Sequence, residues 1–175
     1  MLRRIFLRNF AACTVAALLV PSAFAEQPIP PFHVWVRQIY EHETARHLAL
    51  VRSGGAPQSM EEYLAPFARD VRDLIRDASN RIMPNTEPDG PVLNTYFGWG
   101  ALPGREILLK GVTARGADKA MVEFTVNGAA RSVIVTGRND GGSGWGIADI
   151  SYGAGSLDAS YVERLRRMTT WKKRD

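Results

Sequence analysis

Asn127-Gly128 lies between two runs whose apolar residues alternate, and no other feature of the chain narrows its fold as much. A two-residue hairpin turn of type I′ needs positive φ at both positions, and Asn-Gly is a pair that adopts it readily. Ahead of it, Lys119 to Val126 (KAMVEFTV) sets Val122, Phe124 and Val126 on one side. After it comes Arg131 to Thr136 (RSVIVT). Glu106 to Ala114 (EILLKGVTA) and Trp145 to Tyr152 (WGIADISY) flank the hairpin, the latter reached through the loop Gly137 to Gly144. Four strand-like runs with short connections predict an antiparallel meander.

The chain before Arg105 has helical chemistry. Phe32 to Arg52 contains neither Gly nor Pro and runs into Ser53-Gly54-Gly55, a suitable helix end. Ser59-Met60-Glu61-Glu62 reads as a capping box, in which Glu62 reaches back to the Ser59 amide. Pro66 is expected to begin the next helix. From there Phe67, Val71, Leu74, Ile75, Ala78 and Ile82 recur at steps of three and four, forming one face. Arg69, Asp70, Arg72, Asp73, Arg76 and Asp77 alternate in sign on the other, the pattern of a solvated surface. Asn85 to Gly104, rich in Pro, Gly and aromatic residues, is expected to be an ordered loop. Ser156 to Met168 is expected to be a closing helix, with Leu157, Tyr161, Leu165 and Met168 on one side. Helices followed by strands give the α+β class: N-terminal helices packed on a curved antiparallel sheet of about four strands, with a C-terminal closing helix.

Residues 1–25 have the three parts of a secretory signal. Arg3, Arg4 and Arg8 form the basic start, Phe10 to Val20 the apolar stretch, and Ala23-Phe24-Ala25 the small-x-small cleavage pattern. Eleven apolar residues fall short of the roughly 20 that span a bilayer, and no later stretch comes closer. Cys13, the only cysteine, lies inside the apolar run rather than after it, which argues against an acylated lipoprotein. The expected organisation is therefore a leader (1–25), a proline-rich lead-in (26–31), one α+β domain (32–168) and a basic tail (169–175). The leader holds three of the 22 basic residues and none of the 18 acidic ones, so its loss lowers the net charge from +4 to +1. A nearly neutral chain lacks the basic face expected of a nucleic-acid binder. A hydrophobic content of 45% with 23% charged residues is globular composition, not that of a disordered chain.

The helices-first order, together with the run Gly142 to Ile150 (GSGWGIADI), resembles the nuclear-transport-factor-2-like superfamily of cone-shaped folds. More narrowly, the chain resembles a family of small bacterial periplasmic proteins of unknown function within it. The likeness is carried by the aromatic-rich helix around Trp35 to Tyr40, by the Pro88 to Leu93 loop (PDGPVL), and by the Ala-x-Val-x-Phe and Trp-x-Ile signatures between Ala120 and Ile150. It spans most of Phe32 to Leu165. It implies a first helix lining the cone, a homodimer through the open sheet face, and a proton-transfer role for a carboxylate such as Asp149. The loop Leu93 to Trp99 departs from the family pattern, which often has acidic residues there.

His42-Glu43-Thr44-Ala45-Arg46-His47 has one residue too many for the zinc-protease motif: histidines five apart sit about 140° apart around a helix and cannot share one metal. Glu43 and His47, four apart, can meet on the helix surface and share a stripe with Phe32, Val36, Ile39 and Leu50. They are either a polar pair facing a pocket, with Glu43 orienting His47, or a surface ion pair. Asp149, between Ala148 and Ile150, is either an interior acid or a partner for backbone amides at a bulge or turn. Tyr96, Phe97 and Trp99 form either the rim of a binding site or a hydrophobic plug. The candidate pocket residues are thus Glu43, His47, Asp149, Tyr96 and Trp99, with no metal and no cofactor expected. The sequence favours an exported non-enzymatic binding protein for a partner protein or a small ligand, with no transmembrane span. One form of this is an immunity or inhibitor protein for a periplasmic hydrolase. The alternatives are a small proton-transfer or hydrolytic enzyme, in which Glu43, His47 and Asp149 converge, and a structural envelope protein held by its basic tail.

Overall fold

Four strands in the order β1-β2-β3-β4 form an antiparallel sheet, with helices packed on it from the N-terminal part of the chain and a helix closing the C-terminal part. The computed structural model describes residues 28–53, 58–81, 96–98, 104–139, 144–153 and 160–170. The elements are α1 (Phe32–Ser53), α2 (Met60–Leu64), α3 (Arg69–Arg81), β1 (Ile107–Ala114), β2 (Lys119–Val126), β3 (Ala129–Asn139), β4 (Trp145–Tyr152) and α4 (Tyr161–Thr170).

The hairpin forms where the sequence places it. Asn127 has φ 48° and Gly128 φ 81°, and the flanking pair is Val126 opposite Ala129. The turn is tied to the start of β1: the Asn127 amide donates to the Glu106 carbonyl (2.9 Å), and the Glu106 amide donates to Asn127 Oδ1 (2.8 Å). Ala120, Val122, Phe124 and Val126 of β2 are buried, with Val133 and Val135 opposite on β3. Ile134 and Leu108 face outward and are exposed, so one face of the sheet is covered and the other is wet, as antiparallel sheets allow. β3 runs longer than the Arg131 to Thr136 stretch, because Gly137, Arg138 and Asn139 find ladder partners in Ile147, Gly146 and Trp145. The register shifts between Thr136 and Gly137 on that pair, and between Leu109 and Gly111 on β1.

The capping box at Ser59 is present. The Glu62 amide donates to the Ser59 hydroxyl (3.2 Å), and Glu62 accepts from the Ser59 amide (3.0 Å), which holds its carboxyl below the ordinary range. Pro66, however, does not begin a helix. Phe67 forms a parallel bridge with Ile147, and α3 starts only at Arg69. The Ala68 amide donates to the Ile147 carbonyl (2.9 Å) and the Ile147 amide to the Pro66 carbonyl (2.8 Å). Pro66–Ala68 is thus a short strap along β4, paired through Phe67. The other half of the same edge is met by Ser160, which bridges Ser151. α4 begins at Tyr161, later than Ser156; Leu157 lies outside the described residues.

The lead-in docks as well. Trp145 Nε1 donates to the Pro30 carbonyl (2.8 Å), and the Phe32 ring meets Trp145 edge-on at 5.0 Å. Phe32 lies over the bare backbone of Gly137, where a Cβ atom would fall 2.1 Å from the ring. Replacing Gly137 by Ala should destabilise the fold by about 2–3 kcal/mol, since overpacking a filled site costs of this order. In a Phe32→Ala background the same change should cost much less. Denaturant unfolding of the four chains in this cycle measures the coupling, and equal costs in both backgrounds would contradict the contact.

Candidate functional site

The inner face of α1 differs slightly from the expected stripe. Phe32, Val36, Tyr40, Glu43 and Thr44 are buried, whereas Ile39 and His47 are half-buried. The buried line drifts because 3.6 residues per turn carries it from Tyr40 to Glu43 and Thr44 together. Glu43 is 2% exposed. Its Oε2 accepts from Arg46 Nε (3.0 Å) and Nη2 (2.6 Å), while Oε1 has a long contact from Gln58 Nε2 (3.4 Å). A guanidinium offering two donors to one carboxylate is a strong, charge-assisted pairing. His47 points elsewhere: its Nε2 lies 2.7 Å from the Arg105 carbonyl, so Nε2–H donates and ties the helix to the approach to β1. Arg37 makes a second tie, donating to the Val112 carbonyl (3.1 Å). The structure therefore does not pair Glu43 with His47.

Asp149 is engaged with the start of α4. Its Oδ1 accepts from the Ser160 hydroxyl (3.0 Å) and from the Val162 amide (3.1 Å). The Ser160 hydroxyl in turn accepts from the Glu163 amide (3.2 Å). Ser160 is thus the N-cap of α4, and Asp149 supplies a second acceptor to the first turn, where amides lack helical partners. The carboxylate also suits the positive end of the helix dipole.

Tyr96 and Phe97 are buried. Trp99 lies outside the described residues. The Tyr96 ring sits among Tyr40 (5.7 Å), Phe67 (5.7 Å) and Tyr63 (6.1 Å), and Phe97 meets Tyr40 (5.5 Å) and Phe124 (5.3 Å) edge-on. Edge-to-face rings at these distances are favourable beyond the area they bury. The Tyr40 hydroxyl donates to the Tyr96 carbonyl (2.9 Å), and the Tyr63 and Tyr161 hydroxyls share a hydrogen bond (3.1 Å). The Tyr96 hydroxyl is different: it is buried and has no hydrogen-bond partner among the described residues.

All five tyrosines of the chain meet in or beside this interior. Burial, and then the Glu43 charge, push the phenols of Tyr40 and Tyr96 far up from the ordinary value. Burial, then the neighbouring phenols of Tyr40 and Tyr161, raise Tyr152 likewise. The structure thus brings together Glu43, Tyr40 and Tyr96, and leaves His47 and Asp149 in separate contacts. Arg46 and Tyr40 were not among the residues singled out from the sequence. The i,i+3 spacing of Glu43 and Arg46 was the available signal for the first; Tyr40 was hidden as one aromatic among the apolar positions of its helix. Among the described residues no group of three or more His, Cys, Asp or Glu is arranged to hold a metal ion, and no helix is long and apolar enough to cross a membrane. No family model matches the chain, and searches of curated proteins and of solved structures return no significant match.

The raised phenols fix the sign of the alkaline response. An unfolded tyrosine ionises near 10.0, whereas Tyr40, Tyr96 and Tyr152 hold their protons well beyond that while folded. Their contribution to stability is complete below pH 10 and is lost as pH rises above it, by about 1.4 kcal/mol per pH unit for each group. Tyrosinate absorbance should therefore show these three phenols ionising only together with unfolding. Five phenols titrating smoothly near pH 10 in a chain that stays folded would contradict the burial.

Proposed function

We propose that the chain is an exported, non-enzymatic binding protein. One observation supports the non-catalytic part most directly: the three side chains that the sequence offered for proton transfer are each engaged in holding the fold. Glu43 is held by Arg46, His47 donates to a backbone carbonyl, and Asp149 caps α4. A general base must lie within hydrogen-bond reach of the proton that it takes, and a nucleophile–base pair must lie within reach of each other. Glu43, His47 and Asp149 do not form such a set. Export is supported by the basic start, apolar stretch and Ala23-Phe24-Ala25 of the leader. Kinship with the periplasmic, nuclear-transport-factor-2-like proteins belongs to the same proposal, supported by the order of helices and strands and by the Trp145 to Ile150 run.

Native mass spectrometry of the chain, expressed with its own leader and purified gently from the exported fraction, tests this function. The expected spectrum has a chain beginning at Glu26 and carrying a retained small molecule or a partner protein. A chain with residues 1–25 still attached would contradict export by this leader. A bare chain under conditions that preserve complexes would contradict the binding function.

A further inference from the structure

Asn127-Gly128 is the only Asn-Gly pair in the chain. It makes the turn between β2 and β3, and through the Asn127 amide and carboxamide oxygen it holds the start of β1. Both residues are exposed, and a Cβ atom on Gly128 would stand in open space, so water reaches the pair. The pair is also chemically reactive. With no side chain on residue 128, its backbone nitrogen can approach the Asn127 carboxamide carbon closely. That nitrogen gives up its proton and bonds to Cγ, the side-chain nitrogen leaves as ammonia, and a cyclic imide remains. Water then opens the imide at one carbonyl or the other, leaving aspartate or isoaspartate. The sum is one water consumed and one ammonia released, with no change of oxidation state.

Ring closure sets a backbone condition. The Gly128 nitrogen must come to the side of the Asn127 Cβ atom, which needs a ψ at Asn127 of about −120°, the value at the first central residue of a type II′ turn. The structure holds the other hairpin turn. Positive φ at both Asn127 (48°) and Gly128 (81°) is type I′, whose first central ψ is about +30°. Closure therefore requires a rotation of about 150°, which breaks the turn. The carboxamide is restrained as well, because its Oδ1 accepts from the Glu106 amide (2.8 Å) while the Asn127 amide donates to the Glu106 carbonyl (2.9 Å).

We propose that Asn127 is a site of spontaneous deamidation, and that the type I′ turn and the tie to Glu106 hold the reaction back until the hairpin opens. The two products differ in consequence. Aspartate keeps an acceptor for the Glu106 amide. Isoaspartate routes the backbone through the side chain, lengthens the two-residue loop and releases the start of β1. The proposal does not depend on the binding function.

The purified chain is incubated at mildly alkaline pH, native in one sample and unfolded in guanidinium chloride in another. Trypsin then releases Ala120–Arg131, in which Asn127 is the only residue with a carboxamide, so a mass gain in this peptide reports its conversion. The native chain should convert at least roughly tenfold more slowly than the unfolded one, since reaction waits on local opening. Glu106→Pro removes the amide that donates to Oδ1 and should speed conversion of the folded chain severalfold. If that variant does not fold, low guanidinium concentrations serve instead: conversion should rise in proportion to hydrogen exchange at the Glu106 amide. Equal rates in the native and unfolded chains would overturn the proposal. So would a folded Glu106→Pro chain that converts no faster than the parent, conversion that does not follow Glu106 exchange, or no conversion even when unfolded.

Discussion

Pro66–Ala68, the strap laid along β4, is the constraint on which the interior depends. Pro66 has no amide hydrogen to give, but its carbonyl accepts from Ile147, and the Ala68 amide returns the bond. Arg72 closes the remaining acceptors, donating to the carbonyls of Phe67 (2.5 Å) and Ala65 (3.0 Å). With its backbone held on both sides, Phe67 places a fully buried ring against Tyr63, Tyr96 and Tyr161. Burying such a ring stabilises the fold by about 1.5–3 kcal/mol. The geometric consequence matters more. One residue joins α2, the 96–98 segment, β4 and α4, and the strap covers part of a sheet edge that would otherwise be open to other strands.

The strap was also the part of the fold least legible from sequence. Phe67 continues the three-and-four spacing of Val71, Leu74 and Ile75, and proline suits the first turn of a helix, so local chemistry pointed to a helical start. What decides otherwise is a pairing with Ile147, eighty residues away in the chain, and no local pattern encodes that. The hairpin was legible because its signal is local: Asn127-Gly128 sets the turn, and alternation sets the faces. The box at Ser59 was legible for the same reason, since donor and acceptor lie three residues apart.

Among the candidate site residues, helical spacing identified which could meet but not which do. Glu43 had His47 four residues on and Arg46 three on. The guanidinium takes the carboxylate because it offers two donors in a fork, and His47 is drawn away by a carbonyl that only the tertiary fold provides. Asp149 read either as an interior acid or as a partner for backbone amides at a bulge or turn; it does accept from a backbone amide, that of Val162, together with the Ser160 hydroxyl, but at the start of α4, beyond an intervening segment. The hydroxyl of Tyr96, unpartnered among the described residues, had no sequence signal at all, because it follows from how four rings pack. The polar chemistry that distinguishes this interior is therefore phenolic, with one carboxylate at its margin, rather than a set of acids and bases.

Hydrogen exchange at the amides of Ala68 and Ile147 tests the role of the strap most directly. If the interior closes around it, both amides exchange only through global unfolding, with an opening free energy that equals the stability from denaturant unfolding and falls in step with it in destabilised variants. Exchange of the two amides through a local opening well below the global value, with the β2–β3 ladder still protected, would show that the strap lies on a finished core rather than organising it.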